Sequence, residues 1–328
     1  MHKIIIFILK ALRKIYAKTI GVQTLQKPIC DHDPDSVSLK IYNTLMADEP
    51  CMIARFGSTE LTCLINYIGV NNQIKNYIKY IKGNAPPWWW EMHIINQMQQ
   101  WSGFFPPTKV KLKQFCKLML DDIPAMDILG SWLANEKHFK NSSKAEKVHL
   151  RLLEPFWSKI PWTNALKEKK ILVVHPFADV MINQYKKKDL LFKNKSILPD
   201  FGSLTGIKAV QSLGKADNRF EDWFEALEYM KNLIDNCDYD VCLIGAGAYG
   251  FPLAAHVKRS GKKAVHLGGA LQLLFGIRGK RWDNPNYGVD AWGIPKGSYS
   301  NLINDHWVRP GDNLKPENAD NVEGACYW

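Results

Sequence analysis

No two of the seven cysteines (Cys30, Cys51, Cys63, Cys116, Cys237, Cys242, Cys326) form a C-x-x-C pair, and their number is odd. That usage argues against a disulfide framework or a zinc site and suits a reducing cytosol. Also missing are G-x-x-x-x-G-K-[ST], H-E-x-x-H and G-x-S-x-G, which removes the simplest NTPase, zinc-protease and serine-hydrolase readings. No internal repeat or low-complexity tract occurs, which argues against solenoids and propellers. Acidic side chains are scarce against basic ones, 32 to 43, leaving a net charge of +11. Such a balance points to anionic partners: nucleotides, nucleic acid or the cytoplasmic face of a membrane. No nucleic-acid-binding motif accompanies the charge, and several of the 12 tryptophans stand in apolar surroundings ("PPWWWEMH", "PFWSKIPW"), so nucleic acid is not the expected partner.

What is present is an ordinary globular composition, 328 residues with 46% apolar, enough for one large or two medium domains. Residues 1–30 form a basic amphipathic segment. Within it Lys3, Lys10, Arg13, Lys14 and Lys18 are unaccompanied by any acid, and Lys3, Lys10, Lys14 and Lys18 share one helical face opposite Ile, Leu and Phe. The apolar run at residues 4–9 is too short to span a bilayer, and no small-residue cleavage site follows it. An interfacial helix is expected, each basic residue contributing about 1 kcal/mol near an anionic leaflet.

From there strand-like runs at 52–55, 127–131, 171–175, 241–244 and 264–267 alternate with helical ones at 58–67, 110–120 and 220–234. Alternation of that kind implies an α/β fold, a mostly parallel Rossmann-like sheet with helices on both faces. The polar stretch 137–147 is the best linker or exposed loop. After residue 279 the pattern becomes rich in Asn, Gly, Pro and Trp; Trp282, Trp292, Trp307 and Trp328 argue against disorder, so segment 280–328 should wrap the body and complete a site.

Gly245, Gly247 and Gly250 fall at G-x-G-x-x-G spacing between the strand at 241–244 and a helix expected at 252–258, so backbone N–H groups at the helix start could face a phosphate. A dinucleotide site asks in addition for an acid about 20 residues on, at the end of the next strand. Here that strand ends "HLGG", with no acid before Asp283. An NAD(P)-dependent oxidoreductase or epimerase is therefore the alternative, not the first reading. Four further constellations bear chemistry. In "MIARFGSTEL" a buried strand runs into Arg55, Gly57 and Ser58, which can cap the next helix, with Glu60 in its first turn. Arg55 suits a phosphate or carboxylate, while Glu60 could ligate a metal, act as a base or complement the helix dipole. "LVVHPFADVMINQY" places His175 at a strand end with Asp179 close behind; "DILGSWLANEKHF" groups Asp127, Ser131, Trp132 and Glu136; "GIRGKRW" sets Arg278, Lys280 and Arg281 beside Trp282.

Taken together, "ARFGSTEL", "GAGAYGFPLAAHVKRSGKKAVHLGG" and "LLFGIRGKRW…CYW" resemble bacterial glycosyltransferases of the GT-D fold found among capsule, O-antigen and surface-glycan genes. The resemblance covers most of the chain from about residue 35, and is carried as a single domain, 31–328. It implies transfer of a sugar, of hexosyl type, from a nucleotide-sugar donor to a glycan acceptor, including a lipid-linked oligosaccharide. It also implies a D-x-E motif holding a divalent metal (Mg or Mn) near the donor diphosphate. Here "RFGSTE" keeps the second acid as Glu60 but has Ser58 for the first, which weakens any hard-cation site unless Asp179, Asp305 or Glu323 compensates. The resemblance thus makes Arg55, Gly57, Ser58, Gly245, Gly247, Tyr249, Gly250, Lys280 and Arg281 donor-binding. Glu60, Asp179 and Glu323 become the candidate catalytic acids, Glu60 also being the metal ligand. A peripheral place at the inner face of the cell membrane would follow. A catalytically silent protein of surface-glycan assembly is a further alternative, the serine at position 58 then marking lost activity.

Overall fold

A computed structural model describes residues 3–21, 26–140, 143–213, 217–316, 319–321 and 324–328. Seven strands form one sheet: β1 (Cys51–Ala54), β2 (Ile128–Ser131), β3 (Glu146–His149), β4 (Lys170–His175), β5 (Ser203–Lys208), β6 (Val241–Ile244) and β7 (Lys263–His266). Their spatial order is β3-β2-β1-β7-β6-β4-β5, and every pairing is parallel. The α/β class expected from the sequence is the class found.

Parallel strands buried on both faces read as unbroken apolar runs, and β1, β4, β6 and β7 do so. Along each, the side chains alternate between two cores: Met52 and Ala54 face one, Cys51 and Ile53 the other, and Leu172 and Val174 are likewise opposed to Ile171 and Val173. The chain opens with α1 (Lys3–Thr19) and α2 (Pro34–Met46); α3 (Ser58–Asn71), α4 (Tyr77–Ile81), α5 (Met92–Gln100) and α6 (Lys109–Asp122) occupy the connection from β1 to β2. The helices α7 (Ala178–Tyr185) and α8 (Lys188–Leu191) follow β4, α9 (Trp223–Asp235) precedes β6, α10 (Gly250–Arg259) joins β6 to β7, and α11 (Leu271–Leu274) follows β7. One face is covered by α3, α5, α6, α9 and α10, through residues such as Leu64, Met98, Phe115, Trp223 and Leu253. The other is covered by α2, α7, α11 and the C-terminal segment, through Ile41, Met181, Leu274, Trp282 and Trp307.

That distribution positions the site. Neighbouring strands β1 and β7 send their outgoing connections to opposite faces, α3 to the first and α11 to the second. The adjacent pair β6 and β4 does the same through α10 and α7. Where connections diverge, a crevice opens beyond the carboxyl ends of the strands, and ligands of open α/β sheets bind there.

Three local readings of the sequence differ from the structure. Within residues 137–147, expected as a linker or exposed loop, Lys137, Lys140 and Lys144 are exposed, but Glu146 and Lys147 already belong to β3, which pairs with β2. Ser58 is the first residue of α3, and its N-cap is Gly57, which has no side chain to give. Helix α10 begins at Gly250, after a 3-10 turn at Gly247–Tyr249, two residues earlier than expected.

The first helix packs on α4, with Leu9 buried and Arg13 lying 4.7 Å over the Tyr80 ring, and Lys10 pairs with Glu91, the N-cap of α5. Its apolar stripe faces away from the body: Ile4, Phe7, Ile8 and Ile15 are 50–72% exposed. No helix among the described residues is long and apolar enough to cross a membrane.

Candidate functional site

The crevice holds a cavity of about 270 Å³, lined by the ends of β1, β4, β6 and β7, by the loop after β5 and by the extreme C-terminus. Arg55 follows directly on β1. Its half-buried guanidinium lines the cavity, 5.5 Å from the Trp132 ring, and among the described residues it has no carboxylate partner and no hydrogen bond. Burial holds its pKa below the ordinary arginine range; Tyr327 and Glu60 oppose that effect and Arg281 adds to it. An arginine stays cationic through such a shift, so a half-buried charge without a carboxylate partner among the described residues faces the cavity at the switch point, where an anion can meet it.

The glycines divide their work. A Cβ on Gly245 would stand 2.5 Å from the Gly268 carbonyl oxygen and from His175 Cδ2, and one on Gly250 would stand 2.2 Å from His266 Cε1. Both allow close packing of turn against strand. Gly247 has φ +52° and nothing within 4 Å of a Cβ, so its backbone is open to the cavity. The N–H groups of Ala246, Gly247 and Ala248 find no backbone acceptor among the described residues, whereas that of Gly245 is used by Val174. Free N–H groups at the start of α10 suit an anion. Tyr249 forms wall: its ring stacks on Trp223 at 4.8 Å and its hydroxyl meets Ser212 Oγ at 3.1 Å.

Two buried histidines close the site, and their hydrogen bonds set opposite tautomers. His175 Nδ1 accepts the Phe177 N–H at 3.0 Å, so its proton sits on Nε2 and the ring can donate, not accept, toward the cavity. His266 Nδ1 faces the Ile244 carbonyl at 3.3 Å, which can only accept, so its Nε2 keeps a lone pair. Burial pushes both down to about 3, aided at His266 by Arg55. Both rings are neutral at physiological pH, and His175 is no general base in this arrangement.

Glu60, in the first turn of α3, curls its carboxylate back over Gly57 and is the one acid lining the cavity among the described residues. Ser58 lines the same rim and is exposed. Arg281 enters from the C-terminal segment, its guanidinium 4.7 Å over the Tyr327 ring and bonded to Tyr327 Oη and Cys326 Sγ at 3.3 and 3.0 Å. Three residues stand elsewhere: Lys280 is exposed beside Gly324, and Asp179 and Asp305 are exposed and away from the cavity. Glu323 lies outside the described residues. Asp127 lies at the opposite, amino ends of the strands, where it accepts the Met52 N–H and the Lys258 ammonium, each at 2.7 Å. Glu136 brackets its own loop, taking Ser131 Oγ and the N–H groups of Trp132 and Leu133.

Sequence reasoning did not single out His266, Gln272 or Tyr327. The Gln272 amide nitrogen holds the Tyr327 carbonyl at 3.1 Å, and its buried oxygen has no partner among the described residues. Only the ending "HLGG" of β7 hinted at His266.

A divalent metal fits these residues poorly. Among the described residues no group of three His, Cys, Asp or Glu side chains comes together. Hard cations take six or more oxygens, and here one carboxylate stands among two guanidinium groups.

No protein-family profile matches the chain, and no curated protein does. Two solved structures of the domain of unknown function 1792, one described as having a distinct glycosyltransferase fold and the other selenomethionine-substituted, align over 93% of this chain and 96% of theirs. Identity is 11% in both cases, with TM-scores of 0.39 and 0.40. A likeness this distant assigns no residue a role.

Proposed function

We propose that the chain is a glycosyltransferase whose nucleotide-sugar donor lies over the carboxyl ends of β1, β6 and β7. The observation that carries this reading is Arg55, a half-buried cation with no carboxylate partner or hydrogen bond among the described residues, set beside the Gly268 turn after β7 and lining the same cavity as the glycine turn after β6. A nucleoside diphosphate leaving group develops negative charge as the glycosidic bond breaks. Arg55, Arg281, the N–H groups of residues 246–248 and the His175 Nε2–H are fixed donors where that charge appears, and donors held in place before the reaction supply much of the rate acceleration in many enzymes.

In an inverting transfer the acceptor hydroxyl oxygen attacks the anomeric carbon. Its proton passes to a base, the bond to the diphosphate oxygen breaks, and the nucleoside diphosphate departs with the electron pair. Among the described cavity residues Glu60 is the carboxylate able to take that proton. The His266 lone pair is a poor second, its basicity suppressed by burial and Arg55. No step is routed through a metal.

The acceptor in this reading is a bacterial surface glycan carried on a lipid, and α1 holds the enzyme on an anionic membrane face. In support, the apolar stripe of α1 is open to solvent. Beside α1 runs an open cleft of about 1220 Å³ lined by Arg13, Lys27, Lys137, Lys140, Lys144 and Lys147, with Asp31 its one acid among the described residues. The test is incubation with UDP-, GDP- and CMP-sugars and a lipid-linked acceptor, reading nucleotide release and donor-dependent thermal shift. Silence across the whole set would overturn the proposal.

A further inference from the structure

A smaller cavity, about 100 Å³, adjoins the first and shares Arg55, Trp132, Gly269, Arg281 and Tyr327 with it. Its far side is built from Glu154, Trp282, Tyr287 and Trp292. Glu154 follows the 3-10 turn Leu150–Leu153 at the end of β3, and one of its two oxygens is fully engaged. Its Oε2 accepts the Trp157 indole N–H at 2.9 Å and the Tyr299 hydroxyl at 2.8 Å. Among the described residues Oε1 has no partner, and it is not sealed from the cavity. Among the described residues no cation forms an ion pair with this carboxylate: Arg151, whose charge lowers the Glu154 pKa, stacks over Trp157, 3.7 Å from the ring centre. The neighbouring rings brace one another, Tyr287 lying 5.4 Å from Trp292 and 5.3 Å from Tyr299, both edge-on.

We infer that this adjoining cavity is the sugar subsite of the donor, with the free oxygen of Glu154 accepting hydrogen bonds from sugar hydroxyls and the aromatic walls covering the ring's C–H faces. The inference rests on the glycosyltransferase reading and deepens it. In a nucleotide sugar the hexose is bonded directly to the terminal phosphate, so its subsite must touch the groups that hold the diphosphate. Arg55 and Arg281, which front both cavities, meet that requirement. A carboxylate oxygen accepts from vicinal hydroxyls, and Arg55, Arg281 and Glu154 set among aromatic walls supply the few placed polar groups that orient a small ligand. The space amounts to about three waters of liquid volume, enough for one edge of a pyranose while the rest extends into the larger cavity. Burial pushes the Glu154 carboxyl up to about 7 against the pull of Tyr299 and Trp157; hydroxyls arriving at Oε1 would favour its charged form.

The experiment measures, by calorimetry on the full chain, the affinity for UDP and GDP alone and for the matching UDP- and GDP-sugars. Wild-type protein, Glu154→Gln and Trp292→Ala, on the half-buried rim, are compared. The expected result is that one nucleotide sugar binds wild type more tightly than its bare nucleotide. In Glu154→Gln that margin falls by about tenfold, the scale of one hydrogen bond to a charged group, while affinity for the bare nucleotide is unchanged. Trp292→Ala should reduce the same margin, and it carries the test if the first variant does not fold. An unaltered margin would overturn the inference, as would equal loss for nucleotide and nucleotide sugar, which marks Glu154 as a prop for the fold. Binding of bare nucleotides without any gain from the sugar also overturns it but leaves the diphosphate site standing. Failure of wild type to bind any of them overturns the diphosphate site on which the inference rests, and silence with CMP-sugars as well removes the glycosyltransferase reading itself.

Discussion

Glycine spacing alone does not say which glycine serves a ligand; the space around each Cβ does. At Gly250 an added methyl meets the buried His266 imidazole at 2.2 Å, so something must shift. Gly250→Ala should therefore cost about 1–3 kcal/mol, as overpacking does, read from urea unfolding. Gly247→Ala meets no atom and bears only the positive-φ penalty, about 1–2 kcal/mol. Its larger effect should be on nucleotide binding, since the new methyl would project where the backbone is open. If Gly250→Ala were the milder change in unfolding and the more damaging in binding, these roles would be reversed.

Protonation is a residue-scale matter too. His266 is neutral when folded, held down to about 3, whereas an unfolded imidazole titrates near 6.5. Its contribution to stability is therefore complete above pH 6.5 and is lost as pH falls toward 3, at about 1.4 kcal/mol per unit. Replacing it by Gln should flatten the acid limb of a stability–pH series by about that slope. An acid limb as steep as that of wild type would refute the assignment.

Among the elements, α9 shows how local sequence and tertiary packing agree. Asp222 caps it by accepting the Phe224 and Glu225 N–H groups at 2.8 and 3.0 Å and also pairs with Lys111 of α6. Trp223 beside it is fully buried against Phe104, Phe115 and Tyr249. Asp222→Ala should cost about 0.5–2 kcal/mol from the cap, measured by denaturant midpoint; a change within experimental error would show the cap to be idle. The strands that the sequence makes legible are those buried on both faces, because unbroken apolar runs survive without context. The edge strands β3 and β5 escape, since "EKVH" and "SLTGIK" are short, polar and half exposed. What makes them strands is pairing with β2 and β4, a partner no local window contains.

The site follows the same division. Arg55, Glu60 and the glycine turn were legible because each abuts a recognisable strand. His266 and Gln272 were not, and Glu154 owes its environment to Tyr299, 145 residues away. Only the folded chain brings them together. For the whole molecule, a net charge of +11 and an exposed apolar stripe on α1 make one joint prediction. Co-sedimentation with vesicles rich in phosphatidylserine should exceed that with neutral vesicles, fall with added salt, and drop strongly in Ile4→Asp/Ile8→Asp. Each exposed isoleucine buried in lipid is worth about 1.5–3 kcal/mol, so the double variant tests the apolar part separately from the charge. Equal binding to neutral vesicles, or an unaffected double variant, would remove the membrane from the account.

The central claim is that Arg55, a half-buried arginine at the strand switch point with no carboxylate partner among the described residues, holds a diphosphate. Calorimetric titration of UDP and GDP into wild type and Arg55→Ala tests it most directly. Wild type should bind one of them, and the variant should bind it about 10- to 100-fold more weakly, as expected for a lost hydrogen bond to a charged group. Equal affinity in the two proteins, or no binding by wild type, would contradict it.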